Sequence, residues 1–151
     1  MRVLKYLLAG LMTLSVVAVP AMAQSSSSAE KVRRLDMMLM VTSLRCRTTP
    51  DNFQADYRNF TQRQYAPLQK ANAELRRQFA ARGEQGANRE LDRISTDMAN
   101  RYGLGHPWMN CAQLGKATRE LVSAMGETQL VAAADKLLGN SPPSTLVAAI
   151  P

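Results

Sequence analysis

Three side chains in this 151-residue chain have the chemistry of a nucleophile, a base or a redox pair: Cys46, Cys111 and His106. The cysteines are the only two present, and the histidine is alone. Two sulfurs and one imidazole supply a zinc centre poorly, since its structural form takes four ligands. No metal and no cofactor is therefore expected. Cys46 and Cys111 lack the C-x-x-C spacing of a redox pair. In an oxidising compartment such a pair becomes a structural disulfide. Closing so long a loop contributes roughly 4 kcal/mol in the chain-entropy treatment.

His106 stands in the run Gly103-Leu104-Gly105-His106-Pro107-Trp108. It is the candidate general base of a small hydrolase or transferase, and that chemistry needs an acidic partner. No carboxylate is adjacent in sequence. Asp51, Asp92 or Asp97 would have to reach it through the fold. The plainer role is a loop tie, with Trp108 packing at the start of the next helix.

The elements that position these residues follow an export signal. Arg2 and Lys5 precede 13 apolar-rich residues, Leu7 to Val19, and Ala21-Met22-Ala23 supplies the small residues of a cleavage site. The apolar run is shorter than the roughly 20 residues that span a bilayer. Cleavage after Ala23 leaves a periplasmic or secreted chain with no transmembrane segment. The first 23 residues hold two of the 19 basic residues and none of the 12 acidic ones, so the remaining 128 residues carry +5. Nucleic acid is not the expected partner outside the cytoplasm, despite the basic balance.

Residues 24–28 read as a disordered leader, residues 29–139 as one helical domain and residues 140–151 as a disordered tail. Ser27 and Glu30 have capping-box spacing before a first helix over 29–47. Val32, Leu35, Met38, Leu39, Val41, Thr42, Leu44 and Cys46 make its apolar stripe, widened by Met37 and Met40, which marks a central helix. The methionines read as core, or as an adaptable surface of the kind a chaperone uses. Thr49-Pro50-Asp51 is expected to start a second helix reaching about Arg82. Phe53, Tyr57, Phe60, Gln64, Leu68, Ala71, Leu75 and Phe79 share one face. Pro67 should kink it, since residues 64–66 offer no capping side chain for a fresh start. Straight, this helix would measure about 45 Å, against a radius of gyration near 13 Å for a compact domain of this size.

Gly83 to Gly86 is expected as a turn. A third helix then follows through Ala87, Leu91, Ile94, Met98 and Tyr102. A fourth turns Trp108, Cys111, Leu114, Thr118, Leu121 and Met125 inward and stops at Gly126. A fifth carries Leu130, Val131, Ala134, Leu137 and Leu138. The fold class is all-α, a small bundle of four to five helices closed by Cys46–Cys111. On the second and third helices, Arg76, Arg77, Arg82, Arg89 and Arg93 are the candidate contacts for an anionic envelope surface, because guanidinium groups suit phosphate and carboxylate. Acidic residues are interspersed, so a solvated mixed face is the plainer reading.

The runs Met38 to Arg47, Asp51 to Phe60 and Gly105 to Cys111 resemble a family of short exported α-proteobacterial proteins over residues 32–125. That resemblance implies an exported helical protein without an established activity. Some such proteins are called S-adenosyl-L-homocysteine hydrolase. That activity needs a glycine-rich loop after a strand, whereas Gly103-Leu104-Gly105 follows a helix and precedes His-Pro. Two cysteines stapling a small helical chain are similar in outline to periplasmic acid-stress chaperones. Met109-Asn110-Cys111 is similar to exported lysozyme inhibitors, although a +5 chain suits a basic lysozyme poorly. The leading expectation is an exported, non-catalytic binding or envelope-support protein, chaperone-like in one form, with an envelope protein or an anionic envelope surface as partner. The alternatives are a small hydrolase or transferase using His106, and surface attachment through the basic helices.

Overall fold

The first helix is started by Ser27, whose hydroxyl accepts the Glu30 backbone N–H at 3.2 Å. The Glu30 carboxylate does not reach back to complete the box; it takes Arg34 Nε at 2.8 Å, one turn on. The computed structural model describes residues 27–139. The expected signal peptide, the expected tail and residues 24–26 of the expected leader lie outside that range. Ser27 and Ser28, expected in the leader, form the cap and first residue of α1 (Ser28–Arg45).

α1 ends in a 3₁₀ turn, Cys46–Thr48, and is followed by α2 (Gln54–Arg63), α3 (Tyr65–Phe79), α4 (Gly83–Tyr102), α5 (Cys111–Val122) and α6 (Glu127–Leu137). Counting α2 and α3 as the one bent rod expected gives five. Among the described residues there is no strand and no helix long and apolar enough to cross a membrane. α1 packs against all five other helices. This follows from its wide apolar stripe: Val32, Leu35, Met37, Met38 and Leu39 are all buried. Met37 and Met38 are therefore core.

Five boundaries differ from the sequence reading. α2 begins at Gln54, not at Pro50, because Asn52 Oδ1 accepts the Gln54 N–H while Asn52 Nδ2 donates to Arg47 O, both at 3.0 Å. Thr49 turns away from the cap role and donates its hydroxyl to Cys46 O at 2.8 Å. The bend expected at Pro67 falls at Gln64, which separates α2 from α3. Pro67 then sits in the first turn of α3, where its missing N–H costs nothing. The glycines at 83 and 86 belong to the first turn of α4. Gly83 takes φ +71 to reverse the chain after the 3₁₀ turn Ala80–Arg82, and a Cβ on Gly86 would lie 2.5 Å from Arg82 Cβ. α5 begins at Cys111, where Asn110 and Gln113 exchange backbone and side-chain bonds of 2.9 Å in a full capping box. Trp108 consequently precedes the helix. Met125 points outward, 82% exposed, because α5 has already ended at Val122.

Gln64 explains why the break is tolerated. Its side chain is 4% exposed, and Nε2 donates to the carbonyls of Leu121 at 2.9 Å, Val122 at 3.3 Å and Ala124 at 3.1 Å. The last turn of a helix leaves carbonyls without intrahelical donors. One amide at the α2–α3 corner closes the C-terminal end of α5. α2 also packs on α5 where Gly115 admits Phe53: a Cβ there would stand 3.0 Å from Phe53 Cβ.

Cys46 and Cys111 form a disulfide with a Cα–Cα distance of 5.8 Å across a sequence separation of 65. It joins the end of α1 to the first residue of α5 and so fixes the corner in which His106 lies.

Candidate functional site

His106 is built into this corner by its neighbours. Its ring stacks on Tyr102 (centroids 5.4 Å apart) and meets the edge of Trp108 at 4.5 Å. Nε2 lies 2.9 Å from Leu137 O, and Nδ1 faces the Trp108 backbone N–H at 3.4 Å. Nδ1 therefore accepts, and Nε2 carries the proton that it donates to the carbonyl. Burial lowers the imidazole's pKa below its usual value; the Leu137 carbonyl opposes this and the charge of Arg101 adds to it. The ring ties the loop before α5 to the end of α6.

A cavity of about 250 Å³ lies beside His106, lined by Thr42, Arg45, Leu104, Met109 and the two disulfide cysteines among others. No carboxylate belongs to its lining. The acids considered as partners are placed elsewhere: Asp97 pairs with Arg93 at 3.1 Å, and Asp51 and Asp92 are exposed. A general base must reach the proton it abstracts; here both ring nitrogens already face backbone groups.

A second polar cluster went unnoticed in the sequence. Asp36, 8% exposed, accepts the Tyr57 hydroxyl at 2.9 Å, and Arg33 lies 3.9 Å away. Arg33 donates on to Ser95 Oγ at 2.9 Å. Burial raises the Asp36 carboxyl's pKa, while the Tyr57 bond and Arg33 hold it back. Tyr57 itself is pushed well above the usual phenol value, first by burial and then by the Asp36 charge. The cluster ties α1 to α2 and α4.

A groove of about 400 Å³ lies between α1, α4 and α6. Its floor is Met98, Tyr102, Ala134 and Leu138; its charged rim is Lys31, Arg34, Arg101 and Asp135. That size falls within the range of about 300–1,000 Å³ usual for ligand pockets. Lys31 pairs with Asp135 at 2.7 Å. Arg34 gives Nε to Glu30 and Nη1 to Met98 Sδ at 3.6 Å. Arg101 lies over the Tyr102 ring at 5.5 Å. Tyr102 is fully buried, and its hydroxyl has no hydrogen-bond partner among the described residues.

The five arginines proposed as an anionic-surface contact do not form a bare patch. Arg77 pairs with Glu74 and Arg82 with Glu90; Arg93 bridges Glu90 at 2.9 Å and Asp97 at 3.1 Å. Arg76 donates to Asn88. The pairs hold the Glu74 and Glu90 carboxyls below their usual range, chiefly through bonds from Arg77 and Arg93. Arg89 is exposed and has no ion-pair partner among the described residues. Among the described residues no three His, Cys, Asp or Glu side chains gather as a metal site.

Comparison of this chain with known protein families, curated proteins and solved structures gives no match. The functional reading therefore rests on the two cavities and their residues.

Proposed function

We propose that this protein is exported to the periplasm, freed of its signal peptide after Ala23, and acts as a non-catalytic binding protein of the cell envelope. One observation carries the reading: the groove between α1, α4 and α6 combines an apolar floor with a cationic rim and a buried Tyr102 hydroxyl that has no partner among the described residues. Buried polar groups are normally satisfied, so an orphan hydroxyl in a cavity lining marks a place where a bound molecule completes the bonding. The apolar floor supplies affinity and the few polar groups supply orientation. His106 supports the same reading from the other side, since its two nitrogens serve the scaffold. Of the α1 methionines, Met37 and Met38 lie in the core and Met40 is half-buried against it.

The test is native mass spectrometry of the mature protein purified without denaturation from an envelope extract. A non-covalent small-molecule adduct in the wild type, lost in Arg34→Glu protein of unchanged fold, is the expected result. A bare polypeptide mass in both preparations contradicts the proposal.

A further inference from the structure

We infer that the Cys46–Cys111 disulfide is an addressable site in the folded protein: a small anionic thiol enters the cavity beside His106 and exchanges onto Cys111. This concerns the second cavity and does not depend on the groove. Both cysteines line that cavity of about 250 Å³, which has room for roughly eight waters. The two residues are not equally sheltered. Cys46 is 2% exposed, whereas Cys111, the first residue of α5, is half-buried. A staple sealed in a core opens only when the chain unfolds. One that lines a cavity meets a reagent in the native state, because exchange depends on access to the attacked sulfur.

The charge of the reagent follows from the lining, which holds Arg45 and no carboxylate. Arg45 Nε donates to Leu104 O at 3.4 Å, which keeps the guanidinium at the rim. The side chain is exposed and has no ion pair among the described residues. Burial lowers the pKa of His106, so the imidazole is neutral at mildly alkaline pH and Arg45 sets the sign of the cavity. The attacking species is the thiolate. Its electron pair makes the new S–S bond to Cys111 Sγ. The pair of the old bond leaves on Cys46 Sγ, which takes up the proton that the entering thiol released. The product is a mixed disulfide on Cys111 and a free thiol at Cys46. With a dithiol, the reagent's second thiolate attacks its own bound sulfur and expels Cys111. The reagent departs as a disulfide, oxidised by two electrons, and both cysteines are left reduced. Either outcome parts the 3₁₀ turn Cys46–Thr48 from α5 and unfastens the loop that carries His106.

The experiment is thiol exchange on the oxidised, folded protein at mildly alkaline pH and low salt. The probes are mercaptoethanesulfonate, mercaptoethanol and cysteamine, whose tails are negative, neutral and positive. Rates are expressed per thiolate and divided by those of the same protein unfolded in urea, which removes each reagent's own reactivity. Acid quenching and peptide mass spectrometry locate the adduct. The normalised rate should fall about fivefold from the sulfonate to the neutral thiol and again to the amine, the effect of one unit charge about 4 Å from another in water. Arg45→Ala should bring the three rates together, and Arg45→Lys should keep their order. The sulfonate adduct should lie on Cys111, and below the unfolding transition its rate of formation should not change with urea. An ordinary domain is unfolded in fewer than about one molecule in a thousand, so a staple opened only by unfolding reacts far more slowly than the unfolded chain. A rate that rises with urea in step with the unfolded fraction overturns the inference. An adduct on Cys46 overturns the assignment to Cys111, and three equal wild-type rates overturn the role of Arg45.

Discussion

Replacing Gln64 by alanine removes the amide that closes α5. Two hydrogens on Nε2 serve three carbonyls at 2.9–3.3 Å. Leu121 O keeps a second partner, the Ala124 N–H at 3.1 Å, but Val122 O and Ala124 O have no other donor among the described residues. A buried acceptor left unsatisfied costs about 1–3 kcal/mol. Allowing for relaxation toward solvent, Gln64→Ala should lose about 2–3 kcal/mol, a drop in Tm of roughly 10 °C for a domain of this size. Urea unfolding followed by far-UV circular dichroism measures it directly. Gln64→Glu sharpens the test. A carboxylate has only acceptors to set against three carbonyls, so the folded state favours its protonated form. Its folded pKa then lies above the unfolded value of about 4.3. Between those two pKa values the native state binds more protons than the unfolded chain, so stability is lost as pH rises through that window. The variant should match the wild type most closely near pH 4 and fall behind it by pH 7. A Gln64→Ala cost below about 0.5 kcal/mol, or a Gln64→Glu deficit that is the same at pH 4 and pH 7, would refute the assigned role of this side chain.

The remaining predictions concern the staple, the histidine and the buried acid. Reducing Cys46–Cys111, with a separation of 65, should lower stability by about 4 kcal/mol; urea midpoints with and without reductant check it, and thiol titration of the native protein should find no free thiol. His106→Ala should cost about 1–2 kcal/mol at neutral pH through the lost Leu137 bond and ring packing. Because burial depresses the folded pKa of His106, its contribution is full above the unfolded value of about 6.5 and is lost as pH falls through the folded one. The gap between wild type and variant should therefore narrow below about pH 6.5 in denaturant titrations. Tyr57→Phe strands the Asp36 carboxylate and should lower stability by about 1–3 kcal/mol, read by thermal unfolding at pH 7.

Local patterns in the chain carried much of the scaffold. The wide stripe of α1 made it central, Ser27 marked its start, and two cysteines left one pairing. The acids interspersed on the second and third helices read as a mixed face, and Glu74 with Arg77 and Glu90 with Arg93 pair along it. The corner at Gln64 was hidden because glutamine is not a capping residue for its own helix; here it serves the end of another helix about 60 residues on. The turn expected at Gly83–Gly86 failed because those glycines answer a chain reversal and a close contact with Arg82, and neither needs the helix to stop. The groove was invisible for a different reason. Lys31 and Arg34 lie on α1, Arg101 and Tyr102 on α4, Ala134 on α6. Periodicity gives the buried face of each helix but not their mutual rotation, and only that rotation brings these residues together.

The most direct test of the account is to locate, by amide chemical-shift mapping on residues 24–151, the small molecule that native mass spectrometry finds on the protein. Binding in the groove predicts perturbations centred on Lys31, Arg34, Met98, Tyr102 and Ala134. A centre at Thr49, Leu104 and Met109 beside the disulfide, or along Arg76 to Arg93, would contradict it.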